Sequence, residues 1–140
     1  MNMKQIISLL IIAFPVFVNA QKIDDTKIIV TLPDNINLYK KVKIALVNSD
    51  FIVRDNYNTD TLTTYPREFS YFQGYCRIMA VIHENTVTLS GVYGLKSIDE
   101  FGYTQSPKEY KKIMYYKGSK GWAMLNYIAE LIGGQITYGR

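Results

Sequence analysis

The chain predicts an α+β fold: a mostly antiparallel sheet with two helices packed on one face, in the order β-α-β-β-β-β-α with a possible final edge strand. Three observations lead there. Short β-branched runs recur between turn-forming residues, two segments carry apolar residues at helical spacing, and each helix and the central hairpin has one apolar side to bury.

The N-terminus, MNMKQIISLLIIAFPVFVNAQ, sets Lys4 before an apolar run from Ile6 to Val18, and Val18-Asn19-Ala20 ahead of Gln21. This is the charged, apolar and small-residue order of a secretory signal peptide. The run falls short of the roughly 20 apolar residues that span a bilayer. Residues 1–20 are therefore expected to be cleaved, leaving residues 21–140 as a single exported domain, periplasmic or extracellular, with no membrane span. No cysteine stands near the cleavage site to carry a lipid, so no lipid anchor is expected. The single cysteine of an exported chain cannot form an internal disulfide.

The elements follow in order. KIIVTL, Lys27 to Leu32, is a β-branched strand closed by Pro33-Asp34-Asn35. Asp34 or Asn35 can cap the helix that follows, in which Leu38, Val42, Ala45 and Leu46 form one stripe, with Lys40, Lys41 and Lys43 largely outside it on a solvated face. Phe51 to Asp55 predicts a short strand running into the polar turn NYNTD, and Thr61 to Thr64 the next strand, interrupted at Pro66. In YCRIMAVIHENTVTLSGVYG, Tyr75 to Gly94, apolar residues occupy the even positions before the turn and the odd positions after it. An even-length loop centred on Glu84-Asn85 pairs Ile82 with Val87, Ala80 with Leu89, Ile78 with Gly91 and Cys76 with Tyr93, so that both strands offer one apolar face to one core.

Residues Leu95 to Pro107 have weak periodicity and are expected as a long loop. Tyr110 to Lys117 predicts a strand with Ile113 and Tyr115 on one face and Met114 and Tyr116 on the other. A second helix is expected from an N-cap at Ser119 to a stop at Gly133-Gly134. Trp122, Leu125, Ile128, Ala129 and Ile132 make its apolar face, widened by Met124 and Leu131, and Asn126 and Glu130 mark its wet side. QITYG at the C-terminus can add an edge strand.

This element order, with W-x-x-L-x-x-I-A in the last helix, resembles helix-grip and TATA-box-binding-protein-like arrangements. It is also similar to the small domains of the C-component lipoprotein of the outer-membrane β-barrel assembly machine and to uncharacterised secreted proteins of Bacteroidetes-type bacteria. The resemblance implies the fold and carries no functional residue across. The lipid-attachment cysteine of that lipoprotein has no counterpart here.

Composition narrows function further. The formal net charge is +4, of which Lys4 contributes one positive charge, and the basic residues are spread among acidic ones. Without a dense basic stripe, nucleic-acid binding is not expected. Cys76 and His83, the chain's only examples of each, invite a nucleophile-base reading. Seven positions apart on one strand, their side chains point to opposite faces, and about six or more rises of roughly 3.3 Å separate them. One histidine and one cysteine make no zinc site. Asp55, Asn58 and Asp60 lack the spacing, glycine and distal glutamate of a calcium loop, which leaves a polar turn. Gly118-Ser119-Lys120-Gly121 is no phosphate loop, although a glycine-flanked helix start can hold an anion on its free N–H groups. Asp24-Asp25 and Asp99-Glu100 are solvated loop charges.

Twelve tyrosines make the chain tyrosine-rich. Tyr65, Tyr71 and Tyr75 flank the hairpin, and Tyr103 and Tyr110 flank the long loop; such rings suit packing and recognition alike. No catalytic, metal or cofactor site is expected. The expected function is a non-enzymatic binding domain for a protein or envelope component, acting through an open sheet face or the 95–110 loop. Its candidate surface is Arg77, Met79, Val81, Val92, Tyr103 and Tyr110. The alternatives are an apolar-ligand carrier, with its cavity between helices and sheet under Trp122, and a hydrolase without a recognisable motif.

Overall fold

The computed structural model describes residues 20–33, 36–54, 60–70 and 73–140. The expected leader, the cap candidates Asp34 and Asn35, most of the polar turn with Asp55 and Asn58, and Tyr71 lie outside the described residues. The order is β1 (Lys27–Thr31), α1 (Leu38–Asn48), β2 (Val53–Arg54), β3 (Thr61–Thr64), β4 (Arg67–Phe69), β5 (Gly74–His83), β6 (Thr86–Leu95), β7 (Ser97–Ile98), β8 (Thr104–Gln105), β9 (Lys111–Lys112), α2 (Lys120–Ile132) and β10 (Gln135–Gly139). The main sheet runs β10-β1-β6-β5-β3-β2, with β4 on β5 and β9 on β6, and β7 and β8 form a separate small hairpin. Every pairing is antiparallel. The fold is thus α+β, as the sequence predicts.

The central hairpin has the predicted register: Ile82 pairs with Val87, Ala80 with Leu89, Ile78 with Gly91 and Cys76 with Tyr93. Glu84 turns the chain with φ +52°. Asn85 fixes the turn to the end of β1, its Nδ2 donating to the Leu32 carbonyl at 3.1 Å and its own carbonyl accepting from the Leu32 N–H at 2.9 Å.

Both helices cover the face so defined. Leu38, Val42, Ala45 and Leu46 of α1, and Trp122, Leu125, Ile128, Ala129 and Ile132 of α2, close over Ile28, Val30, Cys76, Ile78, Ala80, Val87 and Leu89 in one core. Gly91 belongs to this inner face because a Cβ there would stand 2.8 Å from Ile113 Cδ1 and 3.1 Å from Ile78 Cδ1. Ser119 caps α2, its hydroxyl accepting from the Trp122 N–H at 3.2 Å, and Gly133 ends it at φ +74°.

Several boundaries differ from expectation. Asn37 caps α1, its side chain accepting from the Lys40 N–H at 3.0 Å. Of the described residues of the expected Phe51–Asp55 strand, Val53 and Arg54 pair with β3. After Pro66 the chain pairs again as β4, held in register by β5. The 95–107 segment contains the β7-β8 hairpin, because Asp99 organises its turn: Oδ1 accepts from the N–H groups of Phe101 at 3.0 Å and Tyr103 at 2.8 Å. Of Tyr110–Lys117 only Lys111 and Lys112 pair with β6. Beyond them Tyr115 exchanges hydrogen bonds with the chain before β1, donating to Asp25 O at 2.8 Å and accepting from Asp24 N–H at 3.2 Å. Asn126, expected on the wet side of α2, is half-buried and accepts from the Tyr138 hydroxyl at 3.2 Å, because β10 folds back beside the helix. No described helix is long and apolar enough to cross a membrane.

Candidate functional site

Alternation along the strands assigns the sheet's other face. Where Cys76, Ile78 and Ala80 of β5 point at the helices, Arg77, Met79 and Val81 point away. Register carries this parity across the sheet. Arg54 of β2 stands opposite Thr63 of β3, Thr63 opposite Met79, and Met79 opposite Ser90 of β6. One step along, Arg77 stands opposite Val92, and Val92 opposite Lys112 of β9. Neither described helix covers this face; Met79 is 43 % and Val81 37 % exposed.

The face is not flat. The flanks of the long hairpin change strand at about the same level: β6 gives up β1 after Leu89 and takes β9 at Val92, while β5 gives up β4 before Arg77 and takes β3 at Met79. A concavity of about 450 Å³ opens at that level. Lys27, Arg54, Arg77 and Lys112 surround it, Met79 and Val92 contribute apolar surface, and Thr26, Thr63 and Ser90 contribute hydroxyls. Among the described residues, no acidic side chain lines it.

Among the described residues, the two guanidinium groups are braced by rings. Arg54 lies 5.0 Å from the centre of the Tyr65 ring and Arg77 5.5 Å from that of Tyr110. Such contacts orient the cation and leave its charge intact. The ion pairs among the described residues, Arg67 with Asp50 and Lys96 with Glu68, involve none of the four cations around the concavity.

The six candidate surface residues divide accordingly. Arg77, Met79 and Val92 line the concavity, and Tyr110 braces Arg77. Val81 lies farther along β5 toward the turn. Tyr103 is apart from them in the turn between β7 and β8, 71 % exposed beside Phe101 at 77 %. Lys27, Arg54 and Lys112 were missed by sequence reasoning. Each stands in a different segment, and only strand register brings them to one face.

Cys76 is fully buried and pairs with Tyr93, whereas His83 is exposed at the far end of the same strand. Burial pushes the Cys76 thiol up to about 12, with the positive charge of Arg67 opposing the shift. A thiol so disposed is protonated at neutral pH and is a poor nucleophile. Among the described residues no group of three His, Cys, Asp or Glu side chains could hold a metal ion.

A second hollow, of about 210 Å³, lies beside the α2 start, where Ser119, Lys120 and Gly121 meet Lys111, Met114 and Tyr116. The Trp122 ring packs 5.9 Å from Tyr115 and 6.0 Å from Tyr138, centre to centre, in the core that also holds the buried Leu125 and Ile128. The protein is therefore an α+β domain with a packed helix side and a cationic, concave sheet face. Comparison with protein-family models, with curated proteins and with solved structures gave no match.

Proposed function

We propose that residues 21–140 act as a non-enzymatic exported domain, periplasmic or secreted, that binds a protein or envelope component through the open face of its sheet. The observation that carries this reading is the concavity between Arg77, Met79 and Val92 on a face that neither helix covers. A sheet face serving only as the outer wall of a core has no need of a hollow ringed by cations that share no ion pair with a described residue. The apolar-ligand carrier has no comparable support, since the side chains between helices and sheet are packed against one another.

Native mass spectrometry of the protein recovered from its own compartment, as wild type and as the Arg77→Glu, Val81→Glu double variant, tests the reading. The wild type should carry a bound species that the folded double variant lacks. Retention of the same species by the double variant would refute the assignment to this face.

A further inference from the structure

Resting on the reading that the open sheet face binds, we infer that its concavity takes, beside the protein or envelope component, a compact, soluble polyanion: a small molecule bearing two or more phosphate or carboxylate groups on an apolar or hydroxylated frame. Four positive side chains from four different strands, Lys27, Arg54, Arg77 and Lys112, converge on one hollow of about 450 Å³ with no carboxylate among its described lining residues. Crowding like charges is unfavourable, and a multiply charged anion relieves the repulsions among all four together.

The chemistry of the lining narrows the class further. Two guanidinium groups match the paired oxygens of phosphate or carboxylate, and their forks are held ready by Tyr65 and Tyr110. Met79 and Val92 offer apolar surface to the frame that carries the charges, and Thr26 and Ser90 offer hydroxyls. The volume falls within the roughly 300 to 1,000 Å³ of small-molecule sites.

Larger partners fit less well. The hollow lies over β5 and β6, which are interior to the sheet rather than edge strands, so an acidic peptide finds no free sheet edge to extend there. A flat anionic bilayer meets a projecting basic surface better than a recessed one.

Calorimetric titration of the mature protein with pyrophosphate and with citrate, at fixed ionic strength, tests the inference. Saturable binding is expected for both. Arg54→Gln and Arg77→Gln should each weaken it roughly tenfold or more. Lys40→Gln, which removes the same charge from the exposed face of α1, should leave it unchanged. Unaltered thermal unfolding of the three variants shows that the fold is intact.

Three results would overturn the inference: no saturable binding, equal weakening by all three substitutions, or tighter binding to a polyglutamate peptide or to phosphatidylglycerol vesicles than to either small anion. The broader reading is scored separately. Absent polyanion binding with a native species lost from the double variant would sink the polyanion alone. Polyanion binding abolished by Arg77→Gln, with that species retained by the double variant, would sink the functional reading and leave the anion site standing.

Discussion

Cys76 owes its inertness to the alternation of its strand, and that was legible from the sequence. An odd separation sends His83 to the other face. Under native conditions thiol reagents should label Cys76 only through unfolding, and labelling at the rate of an exposed cysteine would contradict the register. The raised value also sets a pH dependence. An unfolded chain releases the thiol proton from about pH 9, while the folded chain holds it until about pH 12. Stability is thus unaffected by this group below about pH 9 and falls as pH rises from there toward 12; denaturation midpoints of Cys76→Ala should decline less over that window than those of wild type. Arg67 was not legible, because its partners come from a segment that only tertiary folding brings near. Its Nη1 donates to the Ser49 carbonyl at 2.6 Å, Nη2 to Asp50 Oδ2 at 3.3 Å, and its guanidinium covers Phe69 at 4.5 Å. Arg67→Ala should cost about 1–2 kcal/mol in chemical denaturation, less than a buried charged pair because the side chain is one-third exposed.

Among the elements, those whose own residues carry a period were the ones the sequence revealed. The β5-β6 hairpin runs for ten residues a side, enough for parity to select a single register. Helix α2 combined a broad apolar face with a serine cap and a glycine stop. The strands missed or overextended, β2, β4, β7, β8 and β9, are two or three residues long and are defined by their partners rather than by a pattern of their own. Two substitutions probe what holds the larger elements. Ser119→Ala removes the cap of α2 and should cost about 1 kcal/mol. Gly91→Val drives a side chain into Ile113 and Ile78, and overpacking of this kind should cost about 1–3 kcal/mol. Equilibrium denaturation checks both, and an unchanged midpoint for Gly91→Val would mean that the inner face is looser than described.

For the molecule as a whole, the layer of two helices over one sheet face followed from counting apolar sides, since each element had one to bury. The charge on the other face did not follow. Along the chain the basic residues look dispersed, and the visible clusters, Lys40 to Lys43 and Lys108 to Lys112, each belong to a single segment. Lys27, Arg54, Arg77 and Lys112 become neighbours because pairing aligns β2 with β3, β3 with β5, and β6 with β1, β5 and β9. Export has its own check: the N-terminus of the protein recovered outside the cytoplasm should be Gln21, and an intact Met1 would refute cleavage. The location of binding is tested most directly by mapping backbone amide shifts of the mature protein during titration with pyrophosphate. The account predicts shifts concentrated at Lys27, Arg54, Arg77 to Met79, Ser90 to Val92 and Lys112. Shifts centred instead on Ser119 to Trp122, or spread evenly over the lysines of α1, would contradict it.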